Sequence, residues 1–255
     1  MSGGAAVDVI AALALPADTR VERRVPKKLL LEQGAPTAAD KRQIQDGIED
    51  LIWVAALKPN NIGVHAFRDG AREYLEIAVL TATLRDIAKA SRLTELIHRA
   101  IPYPVVLVSA DRGGQSLSLA HKRWSQGEAG AVVIEEVSRT GPLRPDSPAA
   151  IDAPFLSSLA LSGLHAGDLF ALYQGWIDRV IALEAASITG AFAIPETADR
   201  AAKRRAALAA HARLLRDIAT MRAQAQRETQ MNRRVEINLA IKRLEAELAA
   251  TTLAL

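Results

Sequence analysis

The chain is predicted to adopt an α+β fold: a small mixed β-sheet flanked by helices, then an α-helical hairpin with a long C-terminal coiled-coil-like helix. Three observations lead there. Short β-branched runs alternate with helix-periodic segments over the first 145 residues. A proline-punctuated link follows, with Gly141-Pro142, Pro145, Pro148 and Pro154. Finally, Glu196 to Ala250 contains neither glycine nor proline, apart from which no stretch of similar length is uninterrupted. Domains are therefore expected at residues 1–145 and 146–255.

Val7 to Leu15 is apolar, yet Asp8 interrupts it and no cation precedes it, so it reads as a short packed helix, neither a signal peptide nor a membrane span. The basic segment Arg20 to Lys28 carries Pro26 and is expected to be a solvated connection. Thr37 with Asp40 resembles a capping box, and Ile44, Ile48, Leu51, Ile52 and Ala55 recur at helical spacing until Lys58-Pro59, which predicts one helix over that stretch. Asn60-Asn61 is a turn. Ile62 to Phe67 and Tyr74 to Leu80 read as two strands joined around Asp69-Gly70, a dipeptide favoured in hairpins.

A second helix is expected from Arg85 to Ala100, with Leu93, Leu96, Ile97 and Ala100 on its apolar side. Val105-Val106-Leu107-Val108 is apolar throughout, as the centre of a sheet covered on both faces should be. Gly113-Gly114 turns the chain into a strand over Ser116 to Arg123, and Ala131 to Val137 supplies another. Beyond the link, Leu169, Tyr173, Trp176, Val180 and Leu183 form the stripe of a helix over Gly167 to Ser187. Gly190 and Pro195 break it, and the glycine-free segment after them is expected to return as the hairpin's long arm.

As one helix, the 55 residues from Glu196 to Ala250 would be a rod about 80 Å long. A globule of the preceding residues has a radius of gyration of only about 16 Å, so such a rod overhangs it. Leu214, Ile218, Met221 and Ala225 make one heptad seam and Ile237, Ile241, Leu244 and Leu248 a second, on a different face. The rod carries twelve Lys/Arg against seven Asp/Glu, whereas the whole chain is only +3. Positive charge is thus concentrated where an extended partner could be touched. Arg204, Arg205, Arg213, Arg216, Arg233 and Arg234 are the candidate contacts to phosphate or to an acidic protein, with Gln230, Asn232, Glu236 and Asn238 as polar neighbours. The distal seam offers a route to a homodimer. A solvated helical face accounts for the same pattern.

The absence of cysteine excludes disulfides, thiol catalysis and cysteine-ligated metals, and fits a cytoplasmic location. Neither a phosphate-cradling glycine loop nor a nucleophile elbow is present. His65, His98, His121, His165 and His211 lack metal-ligand spacing, so no cofactor or metal is expected. Glu76 is the strongest anomaly: a carboxylate on the same strand face as Tyr74, Ala78 and Leu80 needs a partner or a raised pKa. Lys122, His121, Arg99 and His98 are the candidate partners. A Glu76–Lys122 pair admits a structural bridge, a polar pocket or a metal-dependent nuclease, although Glu76-Ile77-Ala78 lacks the Glu-x-Lys of that last chemistry. Aromatic residues make up only 4% of the chain, too few for a stacking ladder along single-stranded nucleic acid, so any DNA contact would run through phosphates.

Six local features are similar to one bacterial family. They are Val25-Pro26-Lys27-Lys28; Gly47-Ile48-Glu49-Asp50-Leu51-Ile52-Trp53 with Lys58-Pro59-Asn60; Leu75-Glu76-Ile77; Ile97-His98-Arg99-Ala100-Ile101-Pro102-Tyr103-Pro104; Ala120-His121-Lys122; and Gln230-Met231-Asn232-Arg233-Arg234-Val235-Glu236-Ile237-Asn238. Together they resemble the domain of unknown function 4391 family, over most of the chain. The resemblance implies an accessory protein encoded beside helicases and DNA methyltransferases in restriction or antiphage clusters, with such an enzyme as its protein partner. It implies no catalytic residue. The expected function is that of a non-enzymatic adaptor, with a hydrolase centred on Glu76 and Lys122 as the alternative.

Overall fold

The computed structural model describes residues 8–86, 89–127, 131–145, 147–164 and 167–255. His165 and the proposed domain junction at Asp146 lie outside them. The chain divides into two compact units, Met1–Leu183 and Glu184–Leu255.

The first unit is built on a six-stranded mixed sheet in the order β1-β2-β5-β6-β7-β8. Its strands are β1 (Arg20–Arg24), β2 (Ile48–Leu57), β5 (Ile77–Leu84), β6 (Val105–Asp111), β7 (Gly114–Trp124) and β8 (Val132–Arg139). A small hairpin, β3 (Phe67–Arg68) with β4 (Glu73–Tyr74), stands apart from it. Only β5 and β6 run parallel, joined through helix α5 (Ala90–Ala100). The β-branched run of β6 therefore lies inside the sheet and is buried on both faces, as expected. On one face, alternate residues Ala78, Leu80, Ala82 and Leu84 of β5 and Val105 and Leu107 of β6 pack with Leu93, Leu96, Ile97 and Ala100 of α5. Leu30 of α2 (Lys27–Gln33) and Ile44 of α3 (Ala38–Gly47) join the same core.

Three further helices belong to this unit in whole or part: α1 (Val9–Ala12), α4 (Pro59–Ile62) and α6 (Asp152–Ser158). Helix α7 (Leu169–Thr189) crosses the division between the units. Its Trp176 is fully buried and donates to the Leu159 carbonyl at 3.0 Å. Its Tyr173 reaches the sheet itself. The β6–β7 ladder starts at Leu107–Ser118, and two residues beyond, where Val105 would face Ala120, the Tyr173 hydroxyl takes its place. That hydroxyl accepts from the Ala120 amide at 2.9 Å and donates to the Val105 carbonyl at 2.7 Å. The two strands are thus wedged apart just before Lys122, and a register shift between Ala120 and Lys122 in the β7–β8 pairing falls at the same place.

Several local expectations change. The helix begun at Thr37 forms, with the Thr37 hydroxyl accepting from the Asp40 amide at 3.1 Å, but it ends at Gly47 and Ile48 to Leu57 is β2. Ile48-Leu51-Ile52-Trp53-Val54 is rich in β-branched and aromatic residues, and pairing on both edges with β1 and β5 outweighs its helical spacing. Arg20 to Arg24 is an edge strand, not a loop; its charged side chains and the bulge at Glu22, which has φ of 50°, keep it from pairing further. The Asp69-Gly70 turn joins β3 and β4 as expected, with the Asp69 carboxylate accepting from the Ala71 and Arg72 amides. The expected first strand shortens to β3, because Pro59–Ile62 is helical, and the expected second, Tyr74 to Leu80, splits into β4 and β5, so Glu76 lies between strands and not on a strand face with Tyr74.

In the second unit the expected single rod is two helices, α8 (Ala198–Arg227) and α9 (Met231–Leu253). Glu228 and Gln230 adopt extended backbone at ψ of 123° and 119°, and the Glu228 carboxylate accepts the Gln230 amide at 2.8 Å. Arg222 and Glu245 are salt-bridged at 2.6 Å. A continuous helix would hold them about 35 Å apart, so α9 folds back on α8. The two seams read as lying on different faces of one rod become the two sides of one interface, with Leu214, Ile218 and Ile241 buried and the rest half-buried.

Candidate functional site

Residue alternation along β7 sends His121 and Lys122 to opposite faces of the sheet. His121 enters an aromatic cluster with Tyr74, Phe170 and Tyr173. The Tyr74 hydroxyl donates to its Nδ1 at 2.5 Å, and its Nε2 donates to Gln174 at 2.8 Å, which fixes the Nε2–H tautomer. Burial pushes the His121 pKa down, so the ring is neutral. This cluster holds α7 and the small hairpin to the sheet.

Lys122, 3% exposed, runs the other way to the C-terminal end of α5. Its ammonium donates to the carbonyls of His98 and of Ile101, the latter at 2.8 Å. These carbonyls belong to the last turn and cap of a helix and have no intrahelical partner, so a lysine from a neighbouring strand caps α5. Burial pushes the Lys122 pKa down to about 7. His98 beside it is wholly buried and neutral. Burial first, then the Lys122 charge, take its pKa to about 3. Its Nε2 meets the Ser118 hydroxyl at 3.1 Å, while Nδ1 has no hydrogen-bond partner.

Lys122 is also the floor of a cavity of about 210 Å³. Glu73, Leu75 and Glu76 form one wall, Pro102 and Tyr103 another, and Arg123, Trp124 and Val132 close it. Four of the segments similar to the family meet around it: Leu75-Glu76-Ile77, Ile97 to Pro104, Ala120-His121-Lys122, and Lys58-Pro59-Asn60 through the Lys58–Glu76 salt bridge at 3.1 Å. Trp53 joins from behind, with its ring 6.3 Å from that of Tyr103 and nearly parallel to it. Leu75 is 51% exposed, and Tyr103 and Trp124 are each 37% exposed, so three large apolar side chains ring the mouth.

Glu76 and Lys122 thus share a cavity, but the salt-bridge partner of Glu76 is Lys58 and the ammonium of Lys122 is engaged by carbonyls. Glu73 is bound by Arg68. Among the described residues no group of three or more His, Asp or Glu side chains could hold a metal ion. Lys58 carries no local signal that it meets Glu76, since their contact follows from the antiparallel β2–β5 register, in which Leu57 faces Ile77 and the next position on each chain is Lys58 and Glu76. Tyr103 reads from sequence as the entry to a strand, and only its exposure in the fold marks it as a cavity wall.

The arginines and their polar neighbours do not form one cluster on the hairpin. Arg204 is tied to the Ala193 carbonyl, while Arg205, Arg213 and Arg216 lie exposed along α8. Gln230, Asn232, Arg233, Arg234, Glu236 and Asn238 are all exposed, at the helix break and the start of α9. Interleaved with them is a feature that heptad reading misses. Met231, Val235 and Leu239 are 62%, 49% and 53% exposed. With Arg234, Asn238 and Lys242 they follow i, i+3, i+4, i+7, i+8, i+11, a single face turned away from Ile237, Ile241, Leu244 and Leu248. It has three apolar side chains, two cations and no acid.

Among the described residues, no helix is long and apolar enough to cross a membrane. No curated protein and no solved structure matches the chain. The family model described as Domain of unknown function (DUF4391) matches residues 13–248 of the 255, and the chain belongs to that family.

Proposed function

We propose that the chain is an accessory adaptor of a bacterial DNA-processing system, of the restriction or antiphage type, and that it docks a protein partner on the open face of α9. The observation that carries this reading is the exposed row Met231, Val235 and Leu239 between Arg234 and Lys242. Outward faces of helical hairpins are normally polar, and a contiguous apolar row rimmed by charge is the signature of a docking surface. The partner it fits is an amphipathic helix with acidic flanks, carried by a helicase or DNA methyltransferase. A second copy of the chain fits poorly, because it would bring Arg234 and Lys242 against their own equivalents with no acid on the face. Nucleic acid fits poorly as well, since phosphates would meet the apolar centre of the row.

The test is calorimetry of the chain against a helicase and a DNA methyltransferase from the same genome. Serine at Met231, Val235 and Leu239 together should weaken binding at least a hundredfold, from about 1 kcal/mol or more per anchor, and leave the helical circular dichroism unchanged. Unaltered binding removes the face from the account. A dimer in light scattering that the same substitutions dissolve would make the occupant a second copy. Salt-sensitive duplex binding lost with Arg233→Glu and Arg234→Glu would make it DNA.

A further inference from the structure

The Lys122 cavity lies wholly in the first unit and is independent of the hairpin reading. Its lining is specific about what could enter. At about 210 Å³ it falls below the roughly 300–1,000 Å³ of pockets for drug-sized ligands, so it admits one small ring system. Its mouth presents the aromatic side chains of Tyr103 and Trp124 together with Leu75. Its floor presents a donor below pH 7, where Lys122 is charged: an ammonium has three N–H groups, the His98 and Ile101 carbonyls take two, and one remains. Its wall presents acceptors. The Glu73 bridge to Arg68 and the Glu76 bridge to Lys58 each engage one carboxylate oxygen. An aliphatic ligand would leave the Lys122 donor unanswered.

We propose that this cavity is a binding site for a nucleobase, a neutral planar heterocycle whose edge carries acceptor and donor atoms side by side. The base stacks on Trp124, since Tyr103 already lies against Trp53, accepts from the Lys122 ammonium and donates to Glu73 or Glu76. A base reaches the site either as a free nucleoside or splayed out of a strand, and both present the same edge.

Saturation-transfer NMR and calorimetry with adenosine, guanosine, cytidine and uridine, and with ribose as control, test this directly. At least one nucleoside should bind and ribose should not. Trp124→Leu, which keeps the backbone pairing of Trp124 with Val132 and Ala71, should weaken binding about five- to hundredfold, the range found for one base–aromatic stack. Lys122→Met should weaken it further while retaining the native circular dichroism. A single-stranded oligonucleotide that binds more tightly than its nucleoside identifies the strand as the source, and equal affinity identifies the free base. Failure of all four nucleosides to bind at millimolar concentration, or binding indifferent to Trp124→Leu, overturns the proposal. Either result leaves the α9 face untouched.

Discussion

Replacing Lys122 by Met tests the reading of the buried amine by how stability depends on pH. In the unfolded chain this lysine titrates at 10.5, and in the folded chain burial takes it to about 7. The unfolded state therefore binds more protons between those values, and the native protein gains stability as pH rises from 7 towards 10.5. One pKa unit corresponds to about 1.4 kcal/mol, so the whole window is worth about 5 kcal/mol and the part between pH 6.5 and 9.5 about 3 kcal/mol. Met fills the space without titrating, but it leaves the His98 and Ile101 carbonyls without their donor, at about 1–3 kcal/mol each at any pH. The cost and the relief nearly offset at pH 6.5, and by pH 9.5 the variant should trail the native protein by about 3 kcal/mol more than it did at 6.5. Urea unfolding followed by circular dichroism, for both proteins across that range, measures the gap. Tyr74 and Tyr173, whose hydroxyls burial keeps neutral, are common to both proteins and cancel. Parallel stability curves would refute the reasoning, because they would mean that the helix carbonyls hold the amine charged in the native state.

Two further outcomes follow from the same physics. His98 is neutral when folded, with its pKa near 3 against 6.5 unfolded, so its contribution is lost as pH falls between those values; His98→Gln should flatten the acid limb of the stability curve by roughly 3 kcal/mol between pH 6.5 and 4. An unchanged acid limb would put the loss elsewhere. The chain has no cysteine, so Arg222→Cys and Glu245→Cys give two unique spin-label sites, and breaking that exposed ion pair should cost only about 0–1 kcal/mol. Dipolar spectroscopy should return a distance within about 20 Å, whereas one continuous rod would give about 35 Å.

The layered first unit was legible because its strands β6 and β7 and its helix α5 carry unambiguous patterns. A short, continuously apolar run rich in valine between Pro104 and Gly113 favours a covered strand over a buried helix, and Leu93, Leu96, Ile97 and Ala100 share a face only in a helix. Residues 48–57 were not legible, since Ile48, Leu51, Ile52 and Ala55 satisfy a helical period while the buried alternation of a twice-paired strand is interrupted by bulges at Ile48/Asp50 and Trp53/Ala55. The cavity was half legible. Glu76 and Lys122 stood out by residue type, but their partners lie 18 positions away at Lys58 and 21 and 24 positions away at Ile101 and His98, and no local rule reaches that far.

The fold-back of α9 shows which term decides when local and tertiary preferences disagree. Nothing in Glu228-Thr229-Gln230 forbids a helix, and helix propensity alone favours the continuous rod. Interrupting it forfeits about four backbone hydrogen bonds, each worth about 0.5–1.5 kcal/mol net, and the Glu228 carboxylate recovers one by accepting the Gln230 amide. A straight rod would instead expose both seams. Burying side chains such as Leu214, Ile218 and Ile241 is worth about 1.5–3 kcal/mol each, and the half-buried Met221, Ile237, Leu244 and Leu248 add to it. Burial therefore wins within a single chain, and the distal seam read as a dimerisation surface is already used. What remains for a partner is the other side of α9, where Met231, Val235 and Leu239 stay about half exposed or more. A helix with two apolar faces and only one of them covered by its own chain is the physical reason to look for a second protein.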